Sequence, residues 1–509
     1  MAWTLAGGLL ALAIVPPLTQ VARGLLGGSG QLSSLAAPRI WVLLGRSVLL
    51  AGAVTAVALV AGVTLGVSFA KASFPGRRLL LALHVLIAFL PPFLPALGWF
   101  RLVGRSGFVG SESLSRVLFS GTGAVLVLAT CLTPIVTALT WLGLHSIDPS
   151  LEDAARLVGR PLRTVFAILL PIASRAIALS GLIVFALALS ELGVPMFLRV
   201  DVYPAVVFSR LGGMDFAPGE AAVFMLPLLA TSLVLFGIEH LWIGRKSIAS
   251  LGIRSGERSA VFRGRARIAA ALVAAVGALV SVAPVAGLAA HATAGRGWAD
   301  MVRWAGDAPV NTLRAAGAAA LLCTAVAVVA GHAAARGRGF GRAMDALASL
   351  GFLVPSTIIG VGLIATWNRP WTAWLYTSFG ILVVGFAAKY AIIGCRTLEV
   401  VIAQMPSSLE EAGESVGASY FRRLWGIVVR GNARGTLGAL TLVLAFCMRD
   451  LETAVLFYPP GGEPLTVRIF TLEANGPPAV VSALALLQVA MTGAALAATA
   501  ALLHRRRIA

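Results

Sequence analysis

Several charged residues lie inside long apolar stretches, where a charge costs a few kcal/mol of insertion free energy. Glu191 lies near the end of one stretch, and Arg449, Asp450 and Glu452 lie near the end of another. At about 1.5 Å per helical residue, Glu191 would be roughly 24 Å along its helix from Arg175. Acids and a base at this depth can close a polar pathway, so we expect Glu191 and Asp450 to face each other as an outer gate that Arg449 ties together. The alternative is that these residues end their helices at the level of the lipid headgroups.

Two short charged segments interrupt the apolar sequence and resemble each other. Residues 151–171 read LEDAARLVGRPLRTVFAILLP, and residues 409–429, which begin 258 positions later, read LEEAGESVGASYFRRLWGIVV. A serine directly before each segment precedes an acid by three positions, the spacing of a capping box, which predicts that a short helix begins there. The acids and arginines of the first segment then point away from a face formed by Leu151, Ala155, Val158 and Leu162.

These short helices are suited to bind a groove on another protein, because each has a face of small residues and is too short to span a membrane. The alternative is an amphipathic helix that rests on the lipid surface. That alternative explains one copy, but it does not explain why two copies keep the same register of acid, alanine and glycine. The repeated register therefore favours a protein partner.

Other patterns that could do chemistry are missing from the sequence. A phosphate-binding loop ends in Gly-Lys, and none of the three lysines, Lys71, Lys246 and Lys389, follows a glycine. Any ATP must therefore be used by a separate subunit. The 6 histidines have no paired metal-ligand spacing, and the 4 cysteines lie in apolar stretches without a disulfide framework. We expect no catalytic residue, no metal site and no directly bound cofactor.

The composition is typical of a polytopic membrane protein, since 58% of the 509 residues are hydrophobic and only 12% are charged. The first apolar run has no basic leading segment and no cleavage site, so we expect it to be a retained span. In the third run, Pro91, Pro92 and Pro95 predict a kink. Roughly twelve runs are long enough to cross a bilayer as helices, at residues 3–22, 45–70, 79–100, 121–144, 172–195, 220–243, 267–290, 312–335, 344–366, 375–396, 434–456 and 480–503.

The arginines and lysines that give the net charge of +19 are concentrated in loops on one side of the membrane. With a cytoplasmic amino terminus, most arginines and lysines fall in cytoplasmic loops, as the positive-inside rule requires. We therefore expect a multi-pass protein of a bacterial inner membrane, embedded in the lipid bilayer with both termini in the cytoplasm. No face combines aromatic and basic residues in the way that a nucleic-acid partner requires.

The chain repeats itself at an offset of about 260 residues, a pattern typical of transporters built from two copies of one bundle. Lys71 aligns with Arg336 at an offset of 265, and Glu191 aligns with Asp450 at 259. Both copies have the same orientation, which predicts two tandem six-span halves. The domains that follow are a first half at 1–243, a cytoplasmic basic linker at 244–266 and a second half at 267–509.

The paired segments resemble the hallmark of a known family, the inner-membrane permease subunits of binding-protein-dependent ABC importers. That hallmark is a cytoplasmic loop with Glu-Ala-Ala, three residues, Gly, and further on Ile and Leu-Pro. The first copy has Asp153 in place of Glu and one residue fewer before Pro171. The second copy has Gly413 in place of the second Ala, and Arg430 where the Pro would stand. The resemblance covers nearly the whole chain and implies an all-α fold of two type I permease halves.

In this family the loop helices are coupling helices, which dock into clefts of a cytoplasmic ATPase dimer. The resemblance therefore implies a transport subunit that is not an enzyme, with ATP hydrolysed by the partner. It also implies an extracytoplasmic substrate-binding protein as a second partner. The coupling residues that it implies are Glu152, Asp153, Ala154, Ala155 and Gly159 in the first loop and Glu410, Glu411, Ala412, Gly413 and Gly417 in the second.

The fused arrangement is most similar to the permeases of iron(III)-type importers, with thiamine-type relatives close behind. The phrases ALSELGVPMFL and CMRDLETAVLFYPPGGEPLTVRIFTLEANG carry this part of the resemblance. It implies iron(III) or a related small solute as cargo. Two other classes stay open: a secondary carrier of the major-facilitator type, whose Gly-x-x-x-Asp-Arg loop is missing after the second run, and a membrane enzyme built on GGSG at residues 27–30.

Overall fold

The regular structure of the chain is helical. Gly159, the GGSG stretch and most of the 244–266 linker lie outside the residues that can be described. Among the described residues, one isolated bridge joins Ala72 to Phe262, and all other regular elements are helices. The expected all-α class is confirmed. The computed structural model describes residues 2–26, 36–158, 161–212, 218–238, 240–241, 261–337 and 339–505.

The helices follow one order in both halves of the sequence. Those of the first half are α1 (Ala2–Leu26), α2 (Pro38–Lys71), α3 (Arg77–Leu86), α4 (Phe93–Val103), α5 (Glu112–Leu118), α6 (Gly121–His145), α7 (Pro149–Val158), α8 (Pro161–Ser190), α9 (Gly193–Phe197), α10 (Tyr203–Gly212) and α11 (Pro218–Ile238). Those of the second half are α12 (Gly264–Thr293), α13 (Gly297–Ala305), α14 (Ala308–Ala335), α15 (Gly339–Leu353), α16 (Ser356–Trp367), α17 (Ala373–Tyr376), α18 (Phe379–Ala403), α19 (Ser408–Ser415), α20 (Tyr420–Arg423), α21 (Ala433–Arg449), α22 (Ala454–Phe457), α23 (Leu465–Asn475) and α24 (Pro478–Arg505).

Many of these helices can cross a membrane. Within the described ranges, 7 helices are long and apolar enough, or 9 if each of two bent pairs is counted as one span. The remaining runs marked in the sequence correspond to two shorter apolar stretches, Trp3–Thr19 and Val223–Ile238, and to the more charged α21. The polytopic architecture is as expected, whereas the count of twelve spans stays a prediction.

Two spans are sharply bent, one in each half. The axes of α3 and α4 differ by 110° across a break that contains Pro91 and Pro92, because proline cannot donate the hydrogen bond that continues a helix. Pro95 lies in the first turn of α4, where no such donor is needed, and it causes no kink. The expected kink of the third span is therefore confirmed. An equivalent bend of 106° at Pro355, between α15 and α16, was not anticipated from the sequence.

The two halves repeat in space and are interlocked. In the first half, α2 packs against α6 and α8, as α14 packs against α18 and α21 in the second half. The first helix of each half crosses over, because α1 packs on α16 of the second half and α12 packs on α4 of the first. Each bundle thus contains a helix from the other half of the sequence, while the domain boundaries themselves stay a prediction.

Short helices outside the spans are attached to the long helices α2 and α14. We call the end of the bundle that carries α7 and α19 the loop-helix side and the opposite end the far side. Near the far-side end of α2, Ser47 Oγ accepts a hydrogen bond of 2.7 Å from the backbone N–H of Tyr203, at the start of α10. In the second half, Thr312 Oγ1 accepts the same bond, also 2.7 Å, from the N–H of Leu465 at the start of α23.

Candidate functional site

The first loop helix, α7, is held against the end of α2 by a buried ion pair. Lys71 Nζ lies 2.6 Å from Glu152 Oε2, and the two side chains are 2% and 3% exposed. Lysine is favoured at this end of α2, because the last carbonyls of a helix attract a cation. A buried pair of this kind fixes geometry, since separating the charges carries a large desolvation cost. Glu152 therefore faces the permease itself.

The second loop helix, α19, is held in the equivalent way. Glu410 Oε1 lies 2.5 Å from Arg336 Nη2, and Glu410 Oε2 lies 2.6 Å from His332 Nε2. Burial raises the pKa of Glu410, but the hydrogen bonds from His332 and Arg336 together outweigh burial and leave this pKa below its ordinary value. Lys71 and Arg336 are equivalent in the repeat, as are Glu152 and Glu410, so both halves use one design.

The start of α1 reinforces the second loop region. Trp3 Nε1 donates a hydrogen bond of 2.9 Å to the hydroxyl of Tyr420, which lies 3.5 Å from His332 Nδ1. The Trp3 ring also stacks on Phe340, with 5.4 Å between ring centroids. Phe262, which lies just before α12, is buried against the first half and donates its N–H to the carbonyl of Lys71. An aromatic residue thus braces the loop region in each half.

The other expected coupling residues mostly lie on the surface. Ala155 is buried, and its carbonyl accepts a hydrogen bond of 3.3 Å from Thr164 Oγ1. Gly413 is half-buried, and a Cβ added there would come within 2.8 Å of Ile427 Cδ1. Each loop helix therefore has one small residue facing inward. The exposed members of the set are Asp153, Ala154, Glu411, Ala412 and Gly417.

The face expected for the first loop helix is formed only in part, because its leucines are exposed, as a partner-binding face requires, but Ala155 is buried. Leu151 is 46% exposed and Leu162 is 61% exposed, whereas Glu152 is buried. The reason is the base at the end of α2: the ion pair of Glu152 with Lys71 turns the acid inward and leaves Leu151 outside. Hydrophobic periodicity alone does not reveal this ion pair, because its two residues are distant in the sequence.

The expected capping boxes do not form either, although both helices begin within one residue of the expected place. Ser150 and Ser408, the expected caps, both lie inside the helices. The N–H of Ser150 donates to Asp148 Oδ1 at 3.0 Å, and Ser407, which precedes α19, makes no side-chain cap hydrogen bond. Past the end of α19, Gly417 has φ of +77°, a left-handed conformation that favours glycine. Gly159, which is equivalent to Gly417 in the repeat, lies outside the described residues.

The loop helices present apolar side chains to the surroundings. Leu157 is 90% exposed and Val416 is 82% exposed. Leu151 and Leu409, which are equivalent in the repeat, are 46% and 50% exposed. Exposed apolar side chains at matching places of two helices are typical of a surface that meets a protein partner.

A second candidate site lies between the halves, deep in the bundle. Glu191 is 9% exposed and Asp450 is 5% exposed, so both carboxyl groups face the protein interior. They line one cavity of about 30 Å³ together with Arg449, so all three expected gate residues are brought together. Its other polar or charged lining residues are Ser190, Ser356, Lys389, Tyr390 and Glu452.

Glu191 and Asp450 cap the short helices that follow them. Glu191 Oε1 accepts a hydrogen bond of 3.2 Å from the N–H of Val194, and Asp450 Oδ1 accepts one of 2.8 Å from the N–H of Thr453. Both acids have extended backbone, with ψ of 124° and 107°, where the preceding helices α8 and α21 end. The two halves are thus unwound at equivalent points beside the cavity.

Residues of the second half bond directly to the backbone of the first half at this level. Glu452 Oε1 accepts a hydrogen bond of 3.0 Å from the N–H of Leu192, and the Arg449 guanidinium donates to the carbonyl of Ala88. Arg449 also lies over the Phe446 ring, 5.3 Å from its centroid. These contacts join the two halves and close the space between them.

Sequence reasoning missed two members of this cluster. Lys389 Nζ donates to the carbonyl of Val354 at 2.6 Å, and the Tyr390 hydroxyl donates to Asp450 Oδ2 at 2.9 Å. Lys389 was visible as a lysine within an apolar stretch, which is a functional signal by default. Tyr390 gave no signal in the sequence, because its importance comes from Asp450, which is distant along the chain.

Below the charged cluster, toward the loop-helix side, lies a large apolar cavity of about 650 Å³, which we call the vestibule. Both halves line it, for instance through Pro134 and Ile183 from the first and Ile392 and Phe446 from the second. Gln404, which follows the end of α18, also lines it and sets its position near the loop-helix side. Hydrophobic side chains dominate the wall, so the cavity offers few groups that could hold a polar solute.

Several histidines make ordinary hydrogen bonds inside the bundle. His84 lies 2.7 Å from Ser281 Oγ and 3.0 Å from Thr137 Oγ1, and His291 lies 3.2 Å from Ser482 Oγ. In the part of the chain that the structure describes, no group of three or more His, Cys, Asp or Glu side chains is arranged to hold a metal ion.

Comparison with known proteins gives a family and several relatives. Residues 324–508 match the family described as binding-protein-dependent transport system inner membrane component. The chain is 25% identical over 423 residues to the ferric transport system permease protein FbpB of Actinobacillus pleuropneumoniae, covering 76% of this chain and 60% of that protein. It is 26% identical over 404 residues to the putative ferric transport system permease protein FbpB 1 of Haemophilus influenzae, covering 72% of this chain and 62% of that protein. The chain thus spans less than two thirds of the length of these two relatives.

A third relative is more similar over a shorter stretch. The chain is 33% identical over 159 residues to the molybdenum transport system permease protein ModB of Escherichia coli K12, covering 29% of this chain and 69% of that protein. The family match lies in the second half, which contains α19 and the second-half residues of the apolar cavity and of the charged cluster. The chain therefore belongs to the family of inner membrane components of binding-protein-dependent transport systems.

Proposed function

We propose that this chain forms the membrane pathway of an ATP-driven importer and is coupled to separate ATPase subunits. The observation that carries the proposal is the pair of loop helices, each fixed to its own half by an equivalent buried or half-buried ion pair. Two equivalent loop helices on one side of a duplicated bundle match the two-fold symmetry of an ATPase dimer. The chain would be a transport subunit, and ATP would be hydrolysed by the partner.

The orientation proposed is that the loop-helix side faces the cytoplasm. Lys71, Arg77 and Arg78 lie at this end of the first half, and Arg336 and Arg342 lie at this end of the second. The far side carries acids such as Asp201 and Glu463. This distribution follows the positive-inside rule and supports cytoplasmic termini.

The ATPase dimer would contact the exposed faces of α7 and α19. Leu157 and Val416 supply apolar contacts at the tips, and exposed Asp153 and Glu411 supply charges beside them. Glu152 and Glu410 would hold the loop helices on the permease and would not contact the ATPase, because their carboxylates bind Lys71 and Arg336. The coupling residues thus divide into an outward-facing group that would contact the ATPase and an inward-facing group that binds the permease helices.

The charged cluster would be the outer gate of the pathway in its closed state. Glu452 and Arg449 join the two halves above the 650 Å³ vestibule, which lies toward the loop-helix side. This arrangement supports an inward-facing resting state. ATP binding would draw the loop helices together, narrow the vestibule and separate the halves at the gate.

The cargo proposed is iron(III) or a related small solute that an extracytoplasmic binding protein delivers. Two ferric permease relatives that align with more than 70% of this chain support this choice. The vestibule wall is mainly apolar, which suits a pathway that releases its solute and leaves selection to the binding protein. A molybdenum oxyanion is the second candidate, because ModB is the relative with higher identity.

Purification of the chain from its own cells tests the proposal. We expect it to bring down a subunit that hydrolyses ATP, and we expect Leu157→Glu combined with Val416→Glu to lose that subunit. Phe108→Glu is the matched control, since Phe108 is 83% exposed but lies on the far side. Retention of the subunit by the double variant, or its equal loss from the control, would contradict docking at the loop helices. Uptake of iron(III) or molybdate by proteoliposomes of the complex then distinguishes the cargoes.

A further inference from the structure

We infer that α2 and α14 are levers that carry movement from the loop helices to the outer gate, an inference that rests on the coupling role proposed above. We call the break in the chain at Glu191 in the first half, and at Asp450 in the second, the gate turn. Each of the two long helices is attached at one end to a loop helix and at the other to α10 or α23, the second helix after the gate turn. The 34 residues of α2 and the 28 of α14 correspond to roughly 51 Å and 42 Å at about 1.5 Å per residue. Each is long enough to connect the two sides of the membrane.

At the loop-helix end, the attachment is the ion pair. Glu152 is bound to Lys71, the last residue of α2, and Glu410 is bound to Arg336, directly after α14. Moving a loop helix away from its lever would separate opposite charges in a poorly hydrated place, which is costly. A displacement of α7 or α19 is therefore passed to α2 or α14 as well as along the chain.

At the far end, the attachment is a hydroxyl group. The Ser47 hydroxyl of α2 accepts a hydrogen bond from the N–H of Tyr203, and the Thr312 hydroxyl of α14 accepts one from the N–H of Leu465. Tyr203 and Leu465 are both 0% exposed. A buried N–H needs a partner, so the hydroxyl holds each of these helix starts in place. The chain leading to α10 and α23 comes directly from α9 and α22, which the gate acids cap. The lever is thereby joined to the gate turn.

Along their length, the levers are in close contact with the walls of the vestibule. A Cβ at Gly66 would lie 2.7 Å from Thr140 Cβ on α6, and a Cβ at the equivalent Gly331 would lie 2.9 Å from the carbonyl oxygen of Cys395 on α18. Contacts this tight leave no room for sliding or tilting between the helices. Each lever therefore moves with its wall helix as one body.

Distance measurements between the halves test the levers. Spin labels are placed at Phe108→Cys and Trp371→Cys, two far-side positions in corresponding turns that are 83% and 74% exposed. In the complex with the ATPase, vanadate trapping with ATP should shift the distance between these labels. Ser47→Ala combined with Thr312→Val should keep ATPase binding and ATP hydrolysis while the shift is lost.

Matched variants separate a lever from a general loss of stability. Thr55→Val is the control on α2, because the Thr55 hydroxyl bonds to the carbonyl of Ala51 in its own helix, and the shift should remain. Ser47→Thr combined with Thr312→Ser preserves both hydroxyl groups and should restore the shift. A full shift in the variant without hydroxyls, or no restoration in the exchanged one, would overturn the inference.

The ion pairs are tested in the same labelled chain. Glu152→Gln should uncouple ATP hydrolysis from the distance shift, and the exchanged pair Lys71→Glu with Glu152→Lys should recover part of it. Coupling that survives Glu152→Gln at full strength would exclude the pair as the attachment. If the labelled parent chain binds no ATPase or shows no shift at all, the proposed function fails, a result distinct from failure of the levers.

Discussion

Replacing Gly331 with alanine tests how firmly α14 is fixed to α18. The added Cβ would lie 2.9 Å from the carbonyl oxygen of Cys395 and 3.0 Å from the amide nitrogen of Glu399. Both atoms belong to the backbone of α18, so they cannot move aside as a flexible side chain would, and the helices must separate. Overpacking of this kind costs about 1–3 kcal/mol.

The matched control is Gly317→Ala on the same helix, where a Cβ would meet nothing within 4 Å. Both substitutions favour the helical conformation by about 0.5–1 kcal/mol, because alanine loses less backbone entropy than glycine. This gain cancels when the two variants are compared. The difference in their free energies of unfolding should therefore equal the cost of the close contact, about 1–3 kcal/mol.

The assay is unfolding of the purified chain in detergent, followed by tryptophan fluorescence during titration with a denaturing detergent. Gly331→Ala should unfold at a lower midpoint than wild type, and Gly317→Ala at the same or a higher midpoint. Gly331→Leu should lower the midpoint further, because the larger side chain forces a wider separation. Equal midpoints for the two alanine variants would refute a tight joint between α14 and α18.

Three further predictions concern the gate and the second loop helix. Arg449→Met removes the hydrogen bond to the Ala88 carbonyl and one of the two bases that line the cavity with the buried acids, which should cost about 3–5 kcal/mol. It should also let a membrane-impermeant thiol reagent added on the far side reach Ile183→Cys in the vestibule without ATP, and unchanged labelling there would contradict the gate. The pKa of Glu410 is lowered, so its carboxylate contributes full stability above the ordinary value of 4.5, and this contribution is lost as pH falls through the lower folded value. The stability gap between wild type and Glu410→Gln should therefore be constant above pH 4.5 and close below it, and a gap that grew on acidification would have the wrong sign. Trp3→Ala, which removes the bond to Tyr420 and the ring stacking, should destabilise the chain by about 1–3 kcal/mol, with Trp3→Phe intermediate in a thermal unfolding series.

Much of the architecture could be predicted from sequence, because it depends on local composition and on repetition. Apolar runs of span length set the polytopic all-α class, and the prolines at 91 and 92 set the bend of the third span. The offset that pairs Glu191 with Asp450 also placed both acids in one interior cavity. These inferences need only short-range patterns or a comparison of the chain with itself.

The parts that sequence reasoning missed depend on contacts between distant residues. Periodicity placed Glu152 away from the apolar face but gave it no contact, because nothing near it in the chain reveals that Lys71, 81 residues away, lies beside it. The exchange of α1 and α12 between the halves likewise leaves no mark in the hydropathy pattern. Tyr390 is ordinary until Asp450 is found next to its hydroxyl. The role of each residue is therefore set by packing, which the sequence specifies only through the whole fold.

Photo-crosslinking from the loop helices tests most directly whether they bind the ATPase. A photoreactive phenylalanine analogue would replace Leu157 in one chain, Val416 in a second and Phe108 in a third, all highly exposed positions. We predict that the first two crosslink to the ATP-hydrolysing subunit in native membranes and that the third does not. Crosslinks from both loop helices to lipid alone would contradict the account.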